Sequence, residues 1–246
     1  MNFGHWYYRE YFDTINLDSK GIVTNFSTFN KGKNDKLIKG ATLPPYDKEN
    51  DIEDVTSFEL KTCYPGLLCG VGYHHEINNP KNEPKEDDAP EVYNLGMYFD
   101  YTSGLPVIPG SSIKGMLRSA IEEWDFLADY KPNNGVTREE IIKTVFEGKG
   151  LSIYDRDIFL DAIPIKADNK LFGEDYITHH PTPLQNPNPV RFLRVNPGVT
   201  YQFRFILRNN DNGLKADFKE ELFKAIICTF GLGAKTNVGY GQFVEP

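Results

Sequence analysis

With 246 residues, 39% of them hydrophobic, the chain has material for one large domain or two small ones around a proper core. A formal net charge of -8 argues against a free-standing protein that binds nucleic acid through overall charge, so any such binding must be local. Three cysteines, Cys63, Cys69 and Cys228, form no C-x-x-C pair and leave one over, which fits a reducing, cytoplasmic setting rather than a disulfide framework or a zinc knuckle.

Along the chain, the start MNFGHWYYREYFD lacks the regions of a signal peptide, and no apolar run approaches the roughly 20 residues of a membrane span, so no membrane partner is expected. Phe3, Trp6, Tyr7, Tyr8 and Tyr11 crowd this start, and positions 3, 7, 11 and 15 share one helical face. That spacing favours core packing or contact with a neighbouring subunit over base stacking. A strand is expected around Phe58 and Leu60, ending near Cys63. The polar, Pro-containing stretches 76 to 92 and 179 to 190 read as loops.

GLPVIPGSSIKGMLRSAIEEW, Gly104 to Trp124, is the most informative stretch. Ile113, Met116, Leu117, Ala120, Ile121 and Trp124 make an apolar stripe, predicting a helix from about 111 to 127 that Pro109 and Gly110 precede. Ser111 or Ser112 can cap it, and the free backbone N–H groups and dipole at such an end favour a phosphate. Lys114 and Arg118, one turn apart around Gly115, add positive charge. An ordinary capped surface helix is the plain alternative.

Thr137 and Glu140 form a possible capping box for a helix over 137 to 147. RDIFLDAI, 156 to 163, can make a strand. In YQFRFIL, 201 to 207, Tyr201, Phe203, Phe205 and Leu207 share one face and Gln202 and Arg204 the other. Residues 215 to 230 return to helical spacing, with Phe218, Leu222, Ala225, Ile226 and Thr229 on one side, and YGQFVE closes the chain as a strand. Without the loops the order is β-α-β-β-α-β, an α+β, ferredoxin-like arrangement. It is read as a single domain over 1–246, with an N-terminal extension, 1–55, and a core, 56–246, carrying insertions at about 64–110 and 164–198. That topology brings three connections to one edge: the one before GSSIKG, the one containing His179 and His180, and GLGAKTNVGYG, Gly231 to Gly241.

The last connection offers Gly231, Gly233, Gly239 and Gly241, together with Lys235, Thr236 and Asn237, and no acid. Glycines let backbone N–H groups approach a phosphodiester closely. The loop is neither a Walker A motif nor a dinucleotide fingerprint. Facing the GSSIKG helix start, it forms half of a two-sided cradle suited to a polymer of phosphates. Charge is segregated too. Tyr176 to Asn210 contains no acid but holds Arg191, Arg194, Arg204 and Arg208. Lys20 to Lys39 holds five lysines against Asp35, a local 5 − 1 = +4, while Glu83, Glu86, Asp87, Asp88 and Glu91 collect elsewhere. Such a distribution suits a subunit with one basic working face, a solvated patchwork being the plain alternative.

GLPVIPGSSIKGMLR and GLGAKTNVGYGQF resemble the signature and the C-terminal glycine-rich loop of the RAMP superfamily of CRISPR-associated RNA-binding proteins. DAIPIKADNKLFGEDYITHHPTP (161 to 183) and NPVRFLRVNPGVTYQFRF (188 to 205) resemble, within it, the sixth-subunit family of type III-B, or Cmr, effector complexes. The resemblance implies a non-catalytic subunit that holds guide RNA near its 3′ end and caps a filament of RAMP subunits. Its implied partners are CRISPR guide RNA, target RNA, other RAMP subunits and the small helical subunit of the complex. The RNA-contacting residues would be Ser111, Ser112, Lys114, Gly115, Arg118, Arg194, Gly231, Gly233, Lys235, Thr236, Asn237, Gly239 and Gly241, with no cofactor or metal. Target cleavage in such complexes is attributed to an aspartate of the repeating backbone subunit, and no Asp here is matched to it.

The rival reading is a metal-independent, RNA-processing endoribonuclease that uses a histidine as general acid or base, since the chain offers tandem pairs at His74-His75 and His179-His180. Adjacent histidines on a strand point to opposite faces, so a pair does not imply two-histidine catalysis. Metal binding by His74, His75 and Glu76 is weaker still, because ligands at consecutive positions rarely converge. A general RNA chaperone would need more net positive charge.

Overall fold

The computed structural model describes residues 2–25, 28–29, 32–46, 54–75, 92–129, 135–179, 188–210 and 213–246. In chain order these form helices α1 (Phe3–Tyr8) and α2 (Lys33–Gly40), strand β1 (Thr56–Thr62), and helices α3 (Gly110–Glu122), α4 (Phe126–Asp129) and α5 (Arg138–Ile141). Strands β2 (Ile158–Phe159), β3 (Ile163–Ala167), β4 (Phe172–His179), β5 (Asn188–Val195) and β6 (Val199–Ile206) follow, then helix α6 (Ala216–Phe230) and strand β7 (Phe243–Val244). The strand pairings are antiparallel, so the chain is mixed helix and antiparallel sheet. It divides into two units, the first made of residues 1–43, 68–106 and 169–196, the second of 44–67, 107–168 and 197–246. The ranges expected as insertions, about 64–110 and 164–198, therefore nearly coincide with the two later segments of the first unit. Residues 76 to 91 of the first polar stretch, most of 179 to 190, and His180 lie outside the described residues.

In the second unit the strand order is β2-β6-β1-β7, and β3 also pairs with β6. Because β6 has neighbours on both sides, its alternation is fully used: Tyr201, Phe203 and Phe205 are completely buried, and Phe205 packs 5.3 Å from Phe223 of α6. Gln202 on the other face is buried as well, which a buried amide tolerates only with partners. Tyr46 Oη donates to its Oε1 at 2.6 Å, and its Nε2 donates to Ser57 Oγ at 3.3 Å.

Helix α3 is shorter than the periodicity predicts. Ile113, Leu117, Ala120 and Ile121 are fully buried, but the helix stops at Glu122 and Asp125 takes φ 50°. Trp124 consequently leaves the stripe, half-exposed, with its ring 4.8 Å from that of Phe230. The helix expected over 137–147 is composite. Both halves of the Thr137–Glu140 capping box form, α5 lasts four residues, and a π-helical turn, Ile142–Phe146, continues it. The wider turn lets consecutive Val145 and Phe146 both enter the core. The strand expected over 156–163 breaks into β2 and β3, because Ala162 leaves the ladder to exchange two hydrogen bonds with Ile108, at 2.9 and 3.0 Å.

On α6 the buried face is Lys219, Leu222, Phe223, Ile226 and Ile227, rotated from the expected stripe; Thr229 is exposed. The lysine on this face is held by an ion pair. Lys219 Nζ donates to Asp157 Oδ2 at 2.6 Å, to Oδ1 at 2.8 Å and to the Arg208 carbonyl at 2.7 Å, with the two side chains 1% and 2% exposed. Burial pushes the lysine below its ordinary pKa, and the carboxylate opposes that shift.

In the first unit, β4 and β5 form a hairpin ladder from Phe172↔Val195 to His179↔Asn188. The predicted N-terminal face is core: Phe3, Tyr7 and Tyr11 are buried, the chain passing from α1 into a 3-10 turn at Glu10–Phe12. Phe3 meets Phe172 edge-on at 5.5 Å, and Tyr7 lies 5.3 Å from Phe99.

Candidate nucleic-acid interface

Strands β1 and β2 both run antiparallel to β6 and so point the same way, but β2 ends level with the start of β1, since Phe159 and Thr56 both pair with Phe205. Helix α3 begins beside the end of β2. Its first N–H, Gly110, donates to Asp161 Oδ1 at 2.8 Å, and the residue before the helix is Pro109. Neither Ser111 nor Ser112 makes a capping hydrogen bond, which corrects the expected cap: a carboxylate from a residue far along the chain has taken the place reserved for a serine or a phosphate. A Cβ on Gly110 would lie 2.1 Å from the Phe159 carbonyl oxygen, so glycine here permits the helix to approach the β2 segment. What remains open is the outer side. Ser111 and Gly115 are exposed, and a Cβ on Gly115 would meet nothing within 4 Å. Lys114 lies 5.6 Å over the Phe159 ring. Arg118, one turn on, donates to Glu122 at 2.6 Å and to Glu147 at 3.5 Å, so its charge is already met by carboxylates.

The glycine-rich loop lies at the other end of β1, where Lys61 pairs with Thr200 and Thr62 with Phe243, so it is not level with the α3 start that the sequence led one to expect opposite it. Gly241 N–H donates to the Gly66 carbonyl at 2.7 Å, and Leu232 N–H to the Gly241 carbonyl at 2.9 Å. Gly231 and Gly241 are buried at this neck. A Cβ on Gly241 would lie 1.8 Å from the Leu232 oxygen, and one on Gly231 2.5 Å from the Gly241 oxygen. Those two glycines thus close the loop on itself. Between them the chain turns outward: Gly233 (φ 94°), Lys235 (φ 61°) and Asn237 are exposed, Thr236 and Gly239 partly so, and a Cβ on Gly239 would meet only Pro65 Cδ at 3.6 Å. Among the described residues no carboxylate pairs with Lys235 or Lys114.

Arg194 belongs to the other unit. On β5 its guanidinium donates to Asn196 Oδ1 at 2.7 Å and lies 3.5 Å from the Asp175 carboxylate. The linear charge windows do not translate into a basic face. Arg191 pairs with Glu174, Arg204 donates to the Asp161 carbonyl at 3.1 Å, and Arg208 lies 3.8 Å from Asp54. Lys33 is held by Asp13, and Lys39 by Asp35 at 2.7 Å. Apart from Asp35, which lies inside the lysine window, the acids that pair here, Glu174, Asp175, Asp13 and Asp54, stand outside the windows.

The histidines are not equivalent. His75 is 3% exposed, its ring 4.2 Å from that of Tyr7 and 4.0 Å from that of Tyr11. Its Nε2 lies 3.1 Å from the Tyr7 carbonyl, which assigns the ring proton to that nitrogen, and burial pushes its pKa down to about 3. His74 is exposed, and His179 ends β4. Among the described residues no group of three His, Cys, Asp or Glu is placed to hold a metal ion, and no helix is long and apolar enough to cross a membrane.

Residues 59–244 match the RAMP superfamily, a span from within β1 to the end of β7 that includes the α3 start and the glycine loop. The chain belongs to the RAMP superfamily. This RAMP protein is 31% identical over 157 residues to the CRISPR system CMR subunit Cmr6 of Saccharolobus solfataricus, covering 62% of this chain and 49% of that one. It is 30% identical over 130 residues to the CRISPR system Cms endoribonuclease Csm3 of Enterococcus italicus, covering 49% and 61% respectively. It therefore spans 49% and 61% of the length of these curated relatives. A chain of the type III-B Cmr-beta complex bound to cognate target RNA has a TM-score of 0.52 at 26% identity, over 77% of this chain and 57% of that chain.

Proposed function

We propose that this RAMP protein is a non-catalytic, RNA-binding subunit of a type III-B CRISPR effector complex, holding guide RNA near its 3′ end and capping the row of RAMP subunits. Its partners are then guide and target RNA, the other RAMP subunits and the small helical subunit, in the cytoplasm. The observation that carries the reading is a pair of cations with no carboxylate partner among the described residues, Lys235 on an outward-turned glycine loop and Lys114 beside the bare backbone of Gly115. Such donors grip phosphates and do not read bases, so binding is sequence-tolerant and salt-sensitive. The likeness to Cmr6 and to a chain of an RNA-bound Cmr complex supports the assignment. The strand order β2-β6-β1-β7, with α3 and α6 between its strands, supports a ferredoxin-like core.

The rival endoribonuclease reading draws on the name of the Csm3 relative and on the exposed His74. The buried, neutral His75 supports the non-catalytic reading, since a ring that stays unprotonated well below physiological pH is a poor acid. Co-purification decides between them. The tagged chain is expected in a multi-subunit particle with small RNA, and the Lys114→Ala, Lys235→Ala double variant is expected to retain less RNA across unrelated guide sequences. Replacing His74, His179 and His180 by Gln should leave target cleavage by the assembled particle at the wild-type level. An assembled histidine variant without cleavage would establish the endoribonuclease reading instead.

A further inference from the structure

We propose that Tyr64 is a stacking platform for an unpaired nucleobase of the RNA strand whose phosphates follow the glycine loop. The inference rests on the RNA-binding reading above and adds a base-contacting position to it. Tyr64 stands two residues past the end of β1 and is 84% exposed, the most exposed large apolar side chain among the described residues. A solitary exposed aromatic needs no explanation by itself. What distinguishes this one is its backbone. The preceding residue, Cys63, donates its N–H to the Gln242 carbonyl at 2.9 Å, and two residues later the Gly66 carbonyl accepts from Gly241 N–H at 2.7 Å. Residues 63 to 66 therefore run alongside the neck of the loop, pinned on both sides of the tyrosine.

The open side of Gly239 faces the same segment, 3.6 Å from Pro65 Cδ. The Lys235 carbonyl accepts from Val238 N–H at 3.1 Å and from Tyr240 N–H at 3.3 Å, which ties the exposed lysine turn to the same strip of backbone. The edge thus presents a cation, open backbone and a solvated ring side by side, which is what a nucleotide unit with one phosphate and one flat base requires. The other highly exposed tyrosines differ. Tyr73 and Tyr101 rest against Tyr8 at 6.1 and 6.0 Å, and Tyr154 sits on a separate 3-10 turn, Ile153–Asp155. A tyrosine loses little conformational freedom on contact, and every base has a flat face, so the platform adds affinity without adding sequence preference.

The test is equilibrium binding of the intact chain to a short single-stranded oligoadenylate and to an abasic strand of the same length and charge. Tyr64→Ala should weaken oligoadenylate binding by about tenfold and leave abasic binding unchanged, while Tyr64→Phe stays near wild type. Lys235→Ala should weaken both strands. As a second readout, 2-aminopurine placed along the strand should be quenched at one or more positions on binding to the wild type and to Tyr64→Phe. If Lys235→Ala weakens binding but Tyr64→Ala does not, or weakens abasic binding equally, or if no 2-aminopurine position is quenched, the platform is overturned and the phosphate-gripping loop stands. Wild-type protein that binds neither strand would overturn the RNA-binding reading and this inference with it.

Discussion

Acidification from pH 7 to pH 5 should destabilise the fold by about 2 kcal/mol through His75 alone. The ring is sandwiched by Tyr7 and Tyr11, Nε2–H donates to the Tyr7 carbonyl, and Nδ1 is buried with no hydrogen-bond partner among the described residues. A proton added at Nδ1 would place a charge among aromatic faces with nothing to compensate it, hence a folded pKa of about 3 against the ordinary 6.5. The sign follows directly. Below pH 6.5 the unfolded chain binds a proton that the folded chain refuses, so stability falls as pH falls and levels off only near the folded pKa of about 3. At pH 5 the gap is about 1.5 pH units, and at about 1.4 kcal/mol per unit this is roughly 2 kcal/mol. Urea unfolding of the wild type and of His75→Gln, followed by far-UV circular dichroism at several pH values, isolates the effect, because the carboxylates titrate in both proteins. Gln keeps an N–H donor for the Tyr7 carbonyl but cannot titrate. Parallel pH profiles for the two proteins, or a His75 ring resonance that titrates near 6.5, would refute the reasoning and return His75 to the list of possible acids.

Two glycines counted together as RNA contacts should behave in opposite ways. Gly241→Val forces a side chain onto φ 71° and against the Leu232 oxygen, so a loss of at least about 2–3 kcal/mol is expected in thermal melting. Gly115→Ala in the open helix should gain about 0.5–1 kcal/mol in the same assay. A stable Gly241→Val would mean the loop neck is not closed as described. Lys219→Met leaves Asp157 buried and uncompensated and should lose about 3–5 kcal/mol in urea unfolding, much of it recovered by adding Asp157→Asn, which removes the charge but still accepts from Arg208 N–H. A single variant as stable as the wild type would show that the pair is solvated.

Patterns contained within one segment were legible in the sequence. The stripe of α3, the alternation of β6, the Thr137–Glu140 capping box and the face Phe3, Tyr7 and Tyr11 each depend on neighbours a few positions away, and the backbone repeats of helix and strand turn such spacing into direction. The outward glycine loop was legible for the same reason, because positive φ is a local demand. Tertiary structure alone decided which polar groups face one another. Asp161 reaches Gly110 across 51 positions and Asp157 reaches Lys219 across 62, so one carboxylate caps the start of a helix in place of a serine and another holds a lysine on a buried helix face. The arginine-rich and lysine-rich windows lost their apparent basic face in the same way, to acids elsewhere in the chain. Hydrophobic burial is non-directional and read from composition along one element, whereas a charge takes its role from the partner that folding brings within about 3 Å, and that partner carries no signature in the local sequence.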